Sequence, residues 1–352
     1  MSGTLHPIPG DVLLNSTGTG TIGRSCVFAE TGREFIVDTH VTAIRPRSDI
    51  IDGRWLNALL SSPWGQSHLE AHCYTGSTNQ IELSGKKLAT SIVPVPGLDE
   101  QRKIAEVLDA IDERIDAVRR VFKKRKRIRA GLLRDVLQTL STAKPSSGWL
   151  RLPLAEVVPS VDYGISHAIT EEPTELPVLR MNNVGEGKTG FGELKYFPQT
   201  VPPGLLLKYG DVLFNRTNSI EHVGRSGMWR NELPKATFAS YLVRLNVNPT
   251  RLIPDYLALW LSHPITRQRV RAISTPAVQQ VNVNPTNLRA LPIDLPSSLD
   301  EQRRITSLLD IADSQIVREQ AELDKLRLLK KGLLADLLTG KVRVTPGGEL
   351  TG

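Results

Sequence analysis

The chain has 352 residues, enough for two ordinary domains that each bury a core. Lys and Arg outnumber Asp and Glu by 44 to 37, and the resulting charge of +7 is compatible with a polyanionic partner without requiring one. Two cysteines, Cys26 and Cys73, are too few for a disulfide framework, no apolar run approaches the ~20 residues of a membrane span, and the start lacks a signal peptide's basic and apolar regions. A cytoplasmic protein with no membrane contact is expected.

The first element, Gly10-Asp11-Val12-Leu13-Leu14-Asn15, reads as the approach to a strand and the strand itself. It leads into Gly18-Thr19-Gly20-Thr21-Ile22-Gly23, which obeys the G-x-G-x-x-G spacing of a dinucleotide-binding loop, with Asp38 about where a ribose-binding acid would fall. His68-x-x-x-His72-Cys73 has metal-ligand spacing on a helical stretch, without a second ligand cluster, so packed or surface histidines are the plainer reading and no metal is expected.

After Leu98-Asp99-Glu100-Gln101-Arg102 a long helix is expected. Ile104, Leu108, Ile111, Ile115, Val118 and Phe122 are spaced 4-3-4-3-4, the a/d seam of a coiled coil. The basic run at 119–127 is the densest charge feature, either a solvated helix face or a contact for phosphates or an acidic partner. A Ser-, Pro- and Gly-bearing linker follows. Residues 176–181, 211–214 and 241–245 then read as short strands, and Pro254–Ser262 as a helix, without the βαβ alternation of a doubly wound sheet. Asn284-Pro285-Thr286-Asn287 faintly resembles an amino-methyltransferase loop but lacks its second proline and its aromatic residue. The second long helix carries a seam of Ile305, Leu309, Ala312, Ile316, Leu323, Leu326, Leu333 and Leu337, interrupted by Lys330 as the first is by Arg129. With Asp99 and Asp300 as candidate N-caps and Gly340 as C-cap, each helix would run about 40 residues, on the order of 60 Å.

These elements come in two copies. Gly10 to Asn15 recurs as Gly210-Asp211-Val212-Leu213-Phe214-Asn215, Ile22-Gly23-Arg24-Ser25 as Val223-Gly224-Arg225-Ser226, and Leu98-Asp99-Glu100-Gln101-Arg102 unchanged at 299–303, a shift of 200 to 201. The second copy keeps only the last glycine of G-x-G-x-x-G, and no helix follows either loop, so a strand-turn-strand replaces the dinucleotide reading. A seam present once per copy pairs most simply with its duplicate, in a direction that the sequence leaves open; the alternative is that each helix packs on its own domain.

Two domains, each carrying G-D-V-L-x-N and closed by a proline, L-D-E-Q-R and a long helix, resemble the specificity (S) subunit of type I restriction-modification systems, from about Gly10 to Gly340. The resemblance implies an α+β fold: two mixed α/β target recognition domains separated by two long helices in an antiparallel coiled coil, related by a pseudo-twofold repeat. The implied boundaries are 1–97 and 150–298 for the recognition domains, 98–141 and 299–341 for the spacer helices, 142–149 for the linker and 342–352 for a flexible tail. Each domain would read one half of a bipartite site in double-stranded DNA. The helices would dock two modification (methyltransferase) subunits, which restriction/translocase subunits join. This chain would then be non-catalytic and hold no cofactor, with S-adenosylmethionine, ATP and Mg in the partners.

Polar side chains on loops can read base edges, so the candidate DNA-binding residues are Asn215, Arg216, Thr217, Asn218, Gln279, Gln280, Asn282, Arg180 and Asn182 in the second domain, and Asn15, Ser16, Thr17, Asn79 and Gln80 in the first. Each has the alternative of being a turn-forming or solvated polar residue. The first copy lacks a counterpart of 149–200, which the resemblance reads as a shortened recognition domain: misfolded, reading few bases, or belonging to a longer reading frame. The competing functions are a half-site reader that still docks modification subunits and a self-contained DNA methyltransferase or nuclease.

Overall fold

The computed structural model describes residues 5–76, 81–136, 147–278, 280–344 and 350–351. The chain divides into two compact units, residues 1–123 with 317–352 and residues 124–316.

In the first unit, β1 (Val12–Asn15) lies between β2 (Ser25–Val27) and β3 (Val41–Ile44), antiparallel to both. Its period-two pattern sends Val12 and Leu14 into a core with Leu60, Leu69, Cys73 and Leu83. The helix α1 (Gly53–Ser61) begins where the Asp52 carboxylate accepts from the Arg54 and Trp55 amides. Ser62 caps α2 (Pro63–His68) in the same way, through the Gly65 amide, and a single π turn, Leu69–Cys73, continues it. A hairpin of β4 (Tyr74–Thr75) and β5 (Glu82–Leu83) leads through α3 (Gly85–Ala89) to the long α4 (Leu98–Val136).

The second unit opens with β6 (Trp149–Pro153), β7 (Ser160–Tyr163), β8 (Pro177–Leu179), β9 (Val184–Gly185), β10 (Gly187–Thr189) and β11 (Lys195–Tyr196). Then come β12 (Val212–Asn215), β13 (Thr217–Asn218), β14 (Ser226–Met228), β15 (Thr237–Phe238) and β16 (Leu242–Asn246). They are followed by α5 (Pro254–Ser262), α6 (Pro264–Ala272), β17 (Thr275–Ala277), β18 (Gln280–Asn282), α7 (Pro285–Ala290), β19 (Pro292–Pro296) and α8 (Leu299–Leu338). The main sheet has the order β7-β16-β12-β14-β10-β9.

Its centre repeats the first unit strand for strand. Val12 faces Val27 and Ile44, and Val212 faces Met228 and Leu245. The added strands bury what the first unit leaves half-open, so β12 is buried at every position. Gly227 permits the close approach of β10, because a Cβ there would stand 2.4 Å from the Lys188 carbonyl. The equivalent residue of the first unit, facing Leu13 as Gly227 faces Leu213, is the exposed Cys26. Phe214, Tyr256, Trp260, Leu288 and Ile293 are among the residues of the main core, each worth roughly 1.5–3 kcal/mol of transfer from water.

The two long helices run antiparallel, which settles the direction of pairing. Within the first unit, Ile111, Ile115, Val118 and Phe122 of α4 pack with Leu323 and Leu326 of α8. Ile104 and Leu108 join Leu333 and Leu337 against Trp55 and Leu59. Within the second unit, Ile305 and Leu309 of α8 join the main core, with Leu132 and Leu133 of α4 against it, while Ala312 and Ile316 are half-buried. Helix-to-helix and helix-to-domain packing, posed as alternatives on periodicity, therefore coexist. The N-cap expectation is corrected: Asp99 and Asp300 lie inside the first turn, and Ser298 accepts from the Asp300 amide at 3.2 Å. Gly340, at φ 72°, follows the end of α8.

The Gln of each E-Q-R fastens its helix to the unit. Gln101 and Gln302 are both 0 % exposed. The Gln101 amide oxygen accepts from the Asp52 backbone at 2.9 Å, and its nitrogen donates to the Ile50 and Pro96 carbonyls at 2.9 and 2.8 Å. Gln302 does the same with Ile253, Arg251 and Pro296 at 3.0, 2.9 and 3.0 Å.

Candidate nucleic-acid interface

The turn into β12 is closed by its acid: Asp211 accepts from the Lys208 amide at 2.9 Å, as Asp11 accepts from Ile8 at 2.9 Å. Past the buried strand, the chain emerges at Arg216, Thr217 and Asn218. The hairpin β17–β18 lies beside it, because β13 pairs with β18, Thr217 opposite Asn282 and Asn218 opposite Val281. The Thr217 hydroxyl donates to the Asn282 amide oxygen at 2.6 Å, and the Val283 amide donates to the Arg216 carbonyl at 2.8 Å. Two candidate segments about 65 positions apart thus form one small sheet. At its tip Val278 is 93 % exposed. The Arg216 guanidinium lies 5.4 Å from the centroid of the Tyr163 ring, which holds it without neutralising it.

Two candidates are corrected. Asn215 is 0 % exposed; its Nδ2 donates to the Met181 carbonyl at 3.3 Å and its own carbonyl accepts from Gly224 at 2.7 Å, so it supports the loop from within. Ser16 is likewise sealed, its hydroxyl 2.6 Å from that of Thr42. Asn182 is exposed in the one-turn helix Met181–Asn183, whose first carbonyl receives the Asn215 bond. Arg180, the residue before this helix, donates from its Nη2 to the Glu193 backbone carbonyl at 3.0 Å. Asn79, Gln80 and Gln279 lie outside the described residues.

The first unit repeats the arrangement. Thr75 faces Glu82 as Thr275 faces Asn282, and the Leu83 amide donates to the Ser16 carbonyl at 2.8 Å as Val283 does to Arg216. Thr17 bridges to Glu82, with its hydroxyl 3.0 Å from His40 Nδ1, and Asn15 donates to the Thr17 carbonyl at 3.2 Å. The shift between copies is 201 at Pro63 and Pro264 but 200 at Thr75 and Thr275, and the π turn Leu69–Cys73 absorbs the extra residue.

The other motifs resolve into structure. The loop after β1 returns directly into antiparallel β2, with Gly18, Gly20 and Gly23 at positive φ. His68 is sandwiched between Trp64 and His72, at ring separations of 5.0 and 4.8 Å, and Cys73 is buried beside Ser91. Asn284 caps α7 through the Thr286 amide, ahead of Pro285 in its first turn. Sequence reading passed over the arginines of α6, whose Thr-Arg-Gln-Arg-Val-Arg pattern resembles any solvated helix; the signal available was their contrast with the uncharged or acidic residues of the other copy.

Residues 4–122 match the family described as "Type I restriction modification DNA specificity domain". The putative type I restriction enzyme MjaX specificity subunit of Methanocaldococcus jannaschii is 26% identical over 54% of this chain and 45% of its own length. The type I restriction enzyme EcoKI specificity subunit of Escherichia coli is 23% identical over 71% and 57%, so the chain spans about half the length of these two relatives. The MjaVIII specificity subunit of M. jannaschii is 23% identical over 89% of this chain and 76% of its own. Among solved structures, the HsdS subunit from Thermoanaerobacter tengcongensis (TM-score 0.51, 21% identity) covers 95% of this chain and 82% of its own. The type I S subunit from M. genitalium (TM-score 0.59, 14% identity) covers 96% and 84%; at these identities the likeness concerns the fold.

Proposed function

We propose that this chain, which is similar to the specificity subunits of type I restriction-modification systems, is the DNA-reading subunit of such a complex. Each unit reads one half of a bipartite duplex site, with the loop after G-D-V-L-x-N and its adjoining hairpin presented to the DNA. The observation that carries this reading is the repeated loop-hairpin pairing, Thr217 with Asn282 and Thr17 with Glu82. It gathers side chains able to donate and accept toward base edges, as direct readout in the major groove requires. Gln280 and Asn282 are base-edge candidates; Arg216, held over Tyr163, is oriented for either a base or a phosphate.

The long helices space the two readers and dock two modification subunits. Apolar side chains left on the surface of α8, Leu308, Ile311, Val317, Leu328 and Leu329, suit that docking. Methyl transfer, with S-adenosylmethionine, and ATP-driven translocation and cleavage, with Mg, belong to the modification and restriction subunits. One observation favours a second reading, in which only the second unit reads DNA: the position of Arg216 is taken in the first unit by the sealed Ser16. Reconstitution with the modification subunit, followed by sequencing of methylated DNA, separates the cases. A bipartite motif supports the proposal, a single half-motif the second reading, and methylation by this chain alone would overturn both.

A further inference from the structure

The reading loop of the second unit rests on α6. Residues 219–224 form a tight turn in which Val223 donates to the Ser219 carbonyl at 2.8 Å, and Gly224, at φ 76°, lies so close to Val270 that a Cβ would stand 2.5 Å from it. Two guanidinium groups of α6 converge on one acceptor at this turn: Arg267 Nη2 and Arg271 Nη2 donate to the Glu221 carbonyl at 3.1 and 3.2 Å. Arg225, the residue before β14, closes the same turn, its amide donating to the His222 carbonyl at 3.2 Å, and its charge acts on Arg267.

This is an expensive arrangement for a protein without an anion. Arg267 is half-buried and its Nε is buried with no hydrogen-bond partner. None of the three arginines forms an ion pair among the described residues; the exposed Glu221 carboxylate, itself lowered in pKa by hydrogen bonds and by neighbours that include Arg271, stays beyond ion-pairing distance. Burial, then the charges of Arg271 and Arg225, lower the Arg267 pKa to about 10, a group held among like charges. A guanidinium cluster short of carboxylates matches the geometry and charge of a phosphodiester, which accepts several N–H bonds at once.

We propose that Arg225, Arg267 and Arg271 form a phosphodiester-binding site beside the reading loop of the second unit, and that the first unit has no equivalent. At the shift of 201, Arg225 corresponds to Arg24, but Arg267 and Arg271 correspond to Gln66 and Glu70. Gln66 uses its amide to hold the Gly23 and Leu60 carbonyls at 2.8 and 2.7 Å, a neutral solution to supporting the same loop. The second unit therefore anchors the backbone of its half-site, whereas the first holds its loop without that anchor.

The inference rests on the DNA-reading proposal. Its test is the salt dependence of full-chain binding to a duplex bearing the site and to duplexes of unrelated sequence. Arg267→Ala should weaken both equally and reduce the slope of log K against log salt by about 1, the signature of one lost phosphate contact. Arg271→Gln, at an exposed position where the turn keeps its Arg267 bond, should do the same and guards against a folding defect. An unchanged slope in both variants, or a change confined to sequence preference, would overturn the phosphate site alone. Failure of the unmodified chain to bind any duplex would instead overturn the DNA-reading proposal beneath it.

Discussion

Lys330 of α8 is held by Asp112 of α4, with Nζ 2.6 and 2.7 Å from the two carboxylate oxygens. Its duplicate is Arg129 with Asp313, whose contacts are 2.6 and 3.3 Å, and both members of the pair are displaced by 201 positions. The two charges that interrupt the apolar seams therefore meet acids on the opposite helix. Parallel pairing, or a shifted register, would separate them, so the ion pairs specify alignment as polar seam residues do in coiled coils.

Double-mutant cycles should give a coupling of about 1 kcal/mol for Arg129 and Asp313 and less for the more exposed Lys330 and Asp112. Chemical denaturation of the singles, of each double and of the charge-swapped doubles measures this. A swapped pair no better than its single mutants would remove the registering role.

Gln302→Leu should cost about 2–3 kcal/mol, because it leaves the Ile253 amide and the Arg251 and Pro296 carbonyls without their partner in a dry site. Gln101→Leu should cost a similar amount in the first unit. Urea midpoints close to that of the unmodified protein would assign these glutamines no fastening role.

Acid should act on the first unit through Asp11. The Arg45 guanidinium, bonded to it at 2.9 and 2.8 Å, holds its carboxyl below the ordinary range, with the Ile8 amide adding to the effect against burial. The resulting stability is fully present above the unfolded-state pKa of about 3.9 and is lost as pH falls through the lower folded value. Asp11→Asn should therefore destabilise at neutral pH, by an amount that shrinks on acidification; a difference in urea midpoint independent of pH would contradict this.

Much of this was legible in the sequence because duplication supplied an internal comparison. The repeat of G-D-V-L-x-N and L-D-E-Q-R located both strands and both helices, and the missing glycines at 217–220 disposed of the dinucleotide loop. The helix direction was not legible, since a seam of Ile and Leu pairs equally well either way until Asp112 and Asp313 are seen to answer Lys330 and Arg129. The burial of Asn215 was hidden for a similar reason: a polar residue at the end of a strand looks exposed until the neighbouring Met181 carbonyl is in place. Likewise, only the folded turn at Glu221 gathers Arg225 with the arginines of α6.

Base reading and phosphate holding should separate by mutation in the second unit. Gln280→Ala should relax the required sequence of one half-site, with about 1–3 kcal/mol of lost discrimination at the affected position, and leave the other half-site intact. Arg216→Ala should do likewise if its guanidinium reads a base. Methylation-site sequencing of each variant complex is the measurement, and uniform weakening across all sequences would assign the residue to the DNA backbone instead.

The central claim is that the two long helices set the distance between two independent readers. Inserting four residues into each of α4 and α8 adds about 6 Å of helical rise. Mapping of methylated sites should then return the same two half-motifs, separated by a gap roughly one or two base pairs longer. An unchanged gap, or altered half-motifs at the original spacing, would contradict the account.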